Sequence, residues 1–281
     1  MTPTRAVELA ESRRKRFGHS MYAGRARSIL ERSYLAFKSS TWVVILTGFM
    51  EPVFYLLSFG YGVGKLIGDV EITPGHSIQY AAFLAPALLA TSAMNGAIYD
   101  STWNVFFKLR FDRIYHGMLA TSLGAVDVAL GEILWALLRG LVYATAFMSI
   151  VAILGLVTSW WALLAIPIAI LIAFAFAACG MAVTTFLKDF EQMNLVNTFI
   201  LPMFLFSGSF YPLTVFPGWM QGIIKALPLW HGITLMREAS LGVIHFGLLW
   251  HTLYFAAMII IGVAVTSRRL NLLFLSLIHI S

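Results

Sequence analysis

Six long apolar stretches alternate with shorter polar segments along the chain, and almost all of the charge lies outside them. An α-helix needs about 20 apolar residues to cross the hydrocarbon core of a bilayer. Because hydrocarbon offers backbone groups no hydrogen-bond partner, such stretches must be helical. The pattern therefore predicts an all-α membrane protein with six transmembrane helices. The predicted spans are approximately Trp42–Gly62, Tyr80–Tyr99, Ile133–Val157, Trp160–Leu187, Met193–Leu213 and Phe246–Thr266.

The composition leaves no room for a separate soluble domain. Of the 281 residues, 59% are hydrophobic and only 11% are charged, whereas soluble domains carry about 25% charged residues. We expect a basic tail at 1–25, an amphipathic interfacial helix at 26–40, a transmembrane domain at 41–266 and a C-terminal tail at 267–281. The C-terminal tail is too short to span a bilayer, and we assign it no function.

The basic residues predict the orientation of the chain, because Lys and Arg near span ends mark the cytoplasmic side. Nine of the 19 basic residues precede Trp42. With the N-terminus inside, the cytoplasmic segments hold fifteen basic residues and the outer segments three. We therefore expect a multi-pass plasma-membrane protein with both termini in the cytoplasm. The net charge of +6 could indicate a nucleic-acid partner, but its position before a span favours a topology signal and no nucleic acid.

A short amphipathic helix is predicted at Arg27–Lys38. Arg27 and Glu31 can form an i,i+4 pair on its polar face, and such a helix would lie in the inner membrane interface. An ordinary flanking segment is the alternative. The residues that can share the apolar face are Ile29, Leu30, Tyr34 and Phe37.

The cytoplasmic loop after span two also has helical spacing, over Asn104–Tyr115. Its apolar residues Val105, Phe106 and Leu109 alternate with basic residues. This pattern fits a short helix along the membrane that offers charge to the cytoplasm. It fits equally a solvated loop that carries positive-inside charge.

The outer segment Phe210–Gly242 is apolar and aromatic but contains several helix breakers. Proline interrupts helices, so one continuous span is not expected here. We predict two short helices that dip into the outer leaflet, where irregular backbone needs protein cover or a water-lined cavity. The breakers are Pro212, Pro217, Gly218 and Pro228.

Sequence motifs for enzymatic chemistry are missing. The run Gly60–Lys65 is followed by Leu66, whereas a phosphate-binding loop needs Ser or Thr at that position. Neither HExxH nor GxSxG occurs. Cys179 is the only cysteine and the histidines are scattered. We therefore predict no catalytic residue, no metal site, no cofactor of the chain's own and no enzyme activity.

Two charged residues lie inside predicted spans, where a charge costs roughly 2.5–3.5 kcal/mol on insertion scales. Glu51 lies about 13 Å along span one, and Arg139 lies about 9 Å along span three, at 1.5 Å per residue. Both distances start from the inner face. We hypothesise that the two side chains form a buried pair between these helices. The alternative is that each separately faces water or extends to the interface.

Five blocks of the chain resemble ABC-2 type exporter permeases, in the same order. The resemblance covers approximately residues 30–266 and is to the branch that includes NodJ-type lipooligosaccharide permeases and daunorubicin-type drug permeases. The blocks are Glu51–Gly64 for the first span, Tyr80–Trp103 for the second, Met118–Glu132 before the third, Phe206–Pro212 for the FSG-x-x-(F/Y)-P signature, and Leu227–Gly242 for the LP-x-x-H … R … LG pattern.

The resemblance implies a permease that works with a separate cytoplasmic ABC ATPase, two copies of each, with ATP and Mg²⁺ bound by the ATPase. It implies that the loop after span two is the coupling helix that contacts the ATPase. The coupling residues would be Val105, Phe106, Lys108, Leu109, Arg110 and Arg113. It also implies that the outer segment is a pair of re-entrant helices that closes the exit. That segment is marked by Pro212, Pro217, Pro228 and His231.

On this resemblance, the expected function is ATP-driven export of an amphipathic or lipid-linked molecule by alternating access. An ATPase-independent secondary transporter or channel is the alternative, and an intramembrane enzyme such as a lipid transferase is a third reading. The substrate surface would be aromatic and apolar, although each residue alone also suits lipid-facing or core packing. The candidates are Phe54, Tyr55, Met94, Phe204 and Phe210.

Overall fold

The computed structural model of the protein describes residues 24–38, 50–73, 76–111, 114–119, 123–157, 159–243 and 245–278. Most of the basic tail, the beginning of predicted span one and Arg113 lie outside these residues. The described helices are α1 (Ala26–Lys38), α2 (50–67), α3 (Tyr80–Phe111), α4 (Ile114–Leu119), α5 (Ala125–Ile153), α6 (Trp160–Thr184), α7 (Phe190–Phe206), α8 (Gly218–Ala226), α9 (Pro228–Leu241) and α10 (Gly247–Ile278).

Four of these helices are long and apolar enough to cross a membrane, judged by length and composition. They coincide with predicted spans two, three, four and six, so long apolar helices are confirmed at those places. Helix α2 continues a segment outside the described residues, and α7 has 17 residues. The complete six-span arrangement stays a prediction. The four long segments are Tyr80–Phe111, Val126–Ile153, Trp160–Thr184 and Gly247–Leu270.

The end of α2 departs from a regular α-helix. Residues Leu56–Val63 form a π-helical stretch in a glycine-rich run, where helix propensity is low. Gly68 then turns the chain with a φ of 76°. Strands β1 (Asp69–Thr73) and β2 (His76–Gln79) follow and pair antiparallel. The other regular elements of the described residues are helical, so the all-α class is confirmed, and this hairpin is an addition that the sequence did not predict.

Helix α6 lies at the centre of the bundle and contacts α3, α5 and α10. Glycine allows the closest of these approaches. A Cβ atom at Gly262 of α10 would lie 2.6 Å from the backbone of Ala178 in α6, and one at Gly180 of α6 would collide with Ser101 of α3. Small residues mark helix interfaces in membranes, because packing drives association there in place of the hydrophobic effect.

Helix α3 runs further than the apolar pattern predicts. It continues past Tyr99 to Phe111 through π-helical turns at Asp100–Asn104 and Phe107–Phe111. The predicted separate helix at Asn104–Tyr115 is therefore wrong for residues 104–111, which extend α3. A helix satisfies its backbone hydrogen bonds internally, so it need not end where its apolar stretch ends.

Helix α10 is also longer than predicted. It passes through Arg268 and Arg269 and ends at Ile278. The predicted C-terminal tail at 267–281 is therefore helical as far as Ile278. The same physical reason applies, since the two arginines interrupt the apolar pattern without interrupting the helical backbone.

The outer segment forms two short helices, and prolines set their starts. A 3₁₀ turn at Leu213–Val215 precedes α8 and α9, which meet at Leu227. Pro217 lies just before α8, and Pro228 is the first residue of α9. Proline is favoured at the first helical position because its missing N–H would have no partner there.

Residues 207–241 form a unit that we call the cap. It packs over the Tyr80 end of α3, where the Tyr80 hydroxyl donates to the Phe210 carbonyl at 3.2 Å. Ser207 and Ser209 are fully buried and share a 2.9 Å hydrogen bond between their hydroxyls. The cap is therefore fixed to the bundle by polar contacts as well as by apolar packing.

Candidate functional site

A cavity of about 530 Å³ lies between α2, α3, α5 and α7. Its volume is within the range of about 300–1,000 Å³ that is typical of ligand sites. The lining combines polar and aromatic side chains. Its polar members are Glu51, Thr91, Ser92, Asn95, Arg139 and Asn197, and its aromatic members are Tyr55, Tyr99, Trp103 and Tyr143.

Arg139 on the cavity wall forms an ion pair with Asp100 of α3. Both side chains are largely buried, with 15% of Arg139 and 7% of Asp100 exposed. Our sequence hypothesis paired Arg139 with Glu51 instead. Among the described residues, the ion-pair partner of Arg139 is Asp100, and Glu51 is an exposed residue on the same cavity. Arg139 therefore pairs with a residue of α3, the helix that packs directly against its own helix α5.

Asp100 was missed because it lies just beyond the predicted end of span two at Tyr99, and only charges inside the predicted spans were considered as partners. It instead begins the π-helical turn Asp100–Asn104 inside α3. Asn104 Nδ2 donates to Asp100 Oδ1 at 2.8 Å, so both Arg139 and Asn104 orient this carboxylate. Single π-helical turns recur at functional sites because they change the direction of the side chains. The sequence did contain a sign that the helix continues past Trp103, namely the apolar residues Val105, Phe106 and Leu109.

Two buried polar atoms of the cavity lining lack a hydrogen-bond partner within the described part of the chain. They are the Asn95 Oδ1 acceptor and the Arg139 Nε donor. Most buried polar atoms in proteins are hydrogen-bonded. These two atoms thus have unused hydrogen-bonding capacity at the wall of the cavity, although the protein encloses both of them.

Three of the five candidate substrate-surface residues come together. Tyr55 and Phe210 each lie against Phe204, with ring centroids 6.1 and 5.1 Å apart, and Phe59 joins the cluster beside Phe210. Tyr55 also lines the cavity, so the cluster extends its aromatic side.

The other two candidates lie elsewhere. Phe54 is 63% exposed on the outside of α2, and Met94 is fully buried in the core. Phe54 faces away from Tyr55 because adjacent positions on one helix differ by about 100°, and Met94 lies on a different helix, α3.

The Phe111 end of α3 is built differently from the predicted coupling helix. Its apolar face is buried as expected, at Val105, Phe106 and Leu109. The basic residues, however, contact the bundle itself. Lys108 Nζ lies 2.6 Å from Glu132 Oε2 of α5, and the Arg110 guanidinium donates to the Leu187 carbonyl at 2.9 Å.

Aromatic side chains are the exposed groups at this end. Phe111 is 61% exposed and Phe107 is 40% exposed, with their rings 5.4 Å apart. Among the described residues, the surface that α3 offers here is therefore aromatic, and Arg113, a predicted basic coupling residue, lies outside them.

Helix α1 is tied to the start of α5. Asp127 accepts from the backbone N–H groups of Arg25 and Gly124, each at 2.9 Å. Ile29 is buried against Gly131, where a side chain would collide with it. Arg27 and Glu31 form the predicted i,i+4 pair at 2.9 Å. Tyr34, predicted on the apolar face, is more than half exposed.

The cap holds a buried cation without an opposite charge in hydrogen-bond contact. The Arg237 guanidinium lies 3.8 Å from the centre of the Phe83 ring and donates to the Gly208 carbonyl at 3.2 Å. Burial lowers the pKa of Arg237 to about 10, which leaves it charged at neutral pH. Arg237 thus joins α9 to α3 and to the turn after α7.

His231 of α9 and His251 of α10 meet in a way that the sequence did not predict. Their Nδ1 atoms are 2.6 Å apart, and both residues are buried. One ring must donate and the other accept, so at least one is neutral. Tyr254 stacks on His231, with centroids 4.2 Å apart. Among the described residues, no group of three His, Cys, Asp or Glu side chains could hold a metal ion.

Comparison with known proteins identifies the family. The family model described as ABC-2 type transporter matches residues 25–241. The chain belongs to the ABC-2 type transporter family. It is a multi-pass membrane permease, and the family lacks a nucleotide-binding site and works with an ABC ATPase. The resemblance noted in the sequence is therefore confirmed.

Named relatives cover most of the chain. Nodulation protein J of Rhizobium leguminosarum bv. viciae is 33% identical over 251 residues, which is 86% of this chain and 94% of that protein. Nodulation protein J of Sinorhizobium fredii is 34% identical over 76% of this chain and 80% of its own length. The inner membrane transport permease YadH of Escherichia coli is 28% identical over 67% of this chain and 72% of its own length.

Proposed function

We propose that this permease is the membrane half of an exporter that moves an amphipathic or lipid-linked molecule out of the cytoplasm or inner leaflet. The observation that supports this most is the 530 Å³ cavity, which combines hydrogen-bonding groups with four aromatic rings. An amphipathic molecule needs both kinds of surface. Relatives named Nodulation protein J and a relative named an inner membrane transport permease agree with this proposal.

The proposed orientation places both termini in the cytoplasm of an inner (plasma) membrane. In that orientation α3 runs from its outer end at Tyr80 to its cytoplasmic end at Phe111. Asn95, fifteen residues from Tyr80, then lies about 23 Å along the helix. Helix α3 has 32 residues and is about 48 Å long, so the cavity would lie near the middle of the bundle, where a substrate from the inner leaflet can reach it.

The ATPase contact is proposed at the cytoplasmic end of α3. Exposed Phe107 and Phe111 would insert into the partner, and the Lys108–Glu132 pair would carry the movement into α5. A second permease copy would complete the membrane part. Alternating access would then follow from ATP-driven movement of α3 relative to α5.

The cap is proposed to close the exit. Helices α8 and α9 would be the re-entrant pair, dipping into the outer leaflet between spans five and six. Arg237 and the His231–His251 contact support this, because they hold α9 against α3 and α10. Opening toward the outside would require these contacts to rearrange.

Copurification from mild detergent, with mass spectrometry, tests the ATPase contact. Because Lys108 and Arg110 are engaged within the bundle, reversing their charge would also disturb the fold. Phe111→Asp changes only an exposed side chain at the proposed contact. We expect an ABC ATPase to copurify with the wild type and to be reduced at least about tenfold with Phe111→Asp, since aromatic anchors dominate interfaces.

Trp219→Asp is the matched control, because Trp219 is an exposed aromatic residue of the cap at the other end of the bundle. It should leave the ATPase bound. If Phe111→Asp retains as much ATPase as Trp219→Asp, the proposed contact is wrong. If the wild type brings down no ATPase while its own oligomer survives, an ATPase-independent transporter takes precedence, with Glu51 as its ionisable group in the cavity.

A further inference from the structure

The charged groups around the cavity do not balance. Glu51 and Arg139 are its ionisable lining residues besides tyrosine. The charge of Arg139 is already neutralised by Asp100, which lies behind it. Glu51 has no ion-pair partner within the described part of the chain and is an exposed residue on the cavity. The described residues of the site, with Asp100 included, therefore carry a net negative charge.

The aromatic rings of the lining reinforce this charge. Tyr55 is one helical turn from Glu51 on α2, and Tyr99 and Trp103 also line the cavity, whereas the face of the Tyr143 ring already has the Arg139 guanidinium 6.0 Å from its centre. The faces of such rings attract cations, and Trp and Tyr are the strongest of them. A carboxylate beside several aromatic rings is an environment that suits an ammonium group.

The hydrogen-bonding groups of the lining are compatible with the same ligand. Asn95 Oδ1 is a buried acceptor without a partner among the described residues, and it can accept from an N–H group. Arg139 Nε is a buried donor that also has no partner among the described residues, and it can donate to a hydroxyl or carbonyl oxygen of the ligand. An acidic ligand that reached the Arg139 guanidinium would share it with Asp100 and would lie in the same cavity as the Glu51 carboxylate, so two carboxylates would oppose it.

We infer that the cavity selects amphiphiles that carry an amino group and that Glu51 is the residue that determines this selection. The inference rests on the proposed function, since it assigns the substrate class of the proposed transport cavity. It predicts that ligands equal in size and chain length are ranked by charge: cationic first, neutral second and anionic last.

Three decyl glycosides with one common chain and ring test this ranking. They are decyl 2-amino-2-deoxyglucoside, decyl glucoside and decyl glucuronide. Binding of tritiated probes to the full-length permease in lipid nanodiscs is measured, with empty nanodiscs subtracted. We expect the amino probe to bind about tenfold more tightly than the neutral probe, from one partly buried ion pair and ring contacts. The glucuronide should bind more weakly than both.

Glu51→Gln should reduce the ratio between amino and neutral probes to about one, because it removes the charge and keeps the shape. Glu51→Asp, which keeps the charge, should retain a preference for the amino probe. Glu191→Gln is the matched control, since Glu191 is an exposed carboxylate at the start of α7 outside the cavity lining. It should keep the wild-type ratio.

The outcomes separate this inference from the proposed function. If the amino and neutral probes bind the wild type equally, or if Glu51→Gln keeps the wild-type ratio, the charge selection is wrong while the cavity stands as a binding site. If none of the three probes binds the wild type, both the selection and the proposed amphiphile site fail. Monodisperse elution of each variant from a sizing column shows that a changed ratio is not a folding defect.

Discussion

The two ends of the bundle hold their buried charges in different ways. Toward the Phe111 end of α3, two ion pairs connect α3 to α5, namely Arg139 with Asp100 and Lys108 with Glu132. In the cap, Arg237 is held by an aromatic ring and a backbone carbonyl. Removing one partner of a buried ion pair leaves an uncompensated charge, whereas removing the Arg237 side chain leaves only a ring and a carbonyl behind. We therefore expect the α3–α5 connection to resist rearrangement more than the cap does.

The largest effect should come from Arg139→Ala, because it leaves the Asp100 carboxylate buried without its cation. The expected loss of stability is about 3–5 kcal/mol. Apparent unfolding temperature in detergent, followed by sizing-column fluorescence, measures it. The double variant Asp100→Asn/Arg139→Gln removes both charges and should recover most of the loss. An Arg139→Ala variant as stable as the wild type would contradict the role of this pair.

Lys108→Ala should have the next largest effect. It leaves Glu132, whose side chain is only 5% exposed, without its hydrogen-bonded cation. We expect a loss of about 1–3 kcal/mol, measured in the same way. Lys65→Ala removes an exposed lysine near the hairpin and should change the unfolding temperature little. Equal effects of the two variants would show that Lys108 is not bound as described.

Arg237→Gln tests the cap directly. It removes the contact with the Phe83 ring while retaining a donor for the Gly208 carbonyl, so we expect a loss of about 1–2 kcal/mol. Arg237→Lys, which keeps the charge but not the planar group, should lie between Arg237→Gln and the wild type. If Arg237→Gln is as costly as Arg139→Ala, the difference between the two ends does not hold.

The smallest expected effect is on how the stability of the protein depends on pH, through His231. Burial lowers the pKa of His231 below its ordinary range. Unfolded His231 takes up its proton near pH 6.5, and the folded protein does so only at lower pH. Between those values the unfolded state binds more protons, so the contribution of His231 to stability is complete above about pH 6.5 and is lost as the pH falls.

His231→Phe should therefore reduce the fall in unfolding temperature between pH 7.5 and 5.5, by about 2–4 °C. His245→Phe, at a half-exposed site, is the control and should reduce that fall less. A His231→Phe variant with the same acid sensitivity as the wild type would show that the His231–His251 contact does not sense protons.

The sequence predicted the long helices well because length and hydropathy are sufficient to define them. Four of the predicted spans are long apolar helices, and the prolines correctly divided the segment after α7. Helix ends were predicted less well, since the apolar pattern of span two stops at Tyr99 and the helix does not. Asp100 therefore lay just beyond the predicted span, whereas the continuing helix carries it into the bundle.

The sequence could not predict which side chains of the site contact one another. Glu51 and Arg139 were predicted as a pair, and both line the cavity, but Arg139 pairs with Asp100 instead. Which carboxylate meets Arg139 depends on how α3 packs against α5, and the π-helical turn at Asp100 affects that geometry. Lys108 and Arg110 are a similar case, because the sequence identified them as basic residues but not their partners. Lys108 contacts Glu132 of α5, and Arg110 donates to the Leu187 carbonyl, so both side chains are bound within the bundle.

By itself, the sequence determined that this chain is a membrane permease of the ABC-2 type, because hydropathy, charge asymmetry and ordered motifs are properties of the chain read in one dimension. The tertiary structure alone decided the cavity, the Asp100–Arg139 pair and the meeting of His231 with His251. These depend on distances of a few ångströms between residues far apart in sequence. Such distances are set by helix packing and not by the periodicity within any single helix.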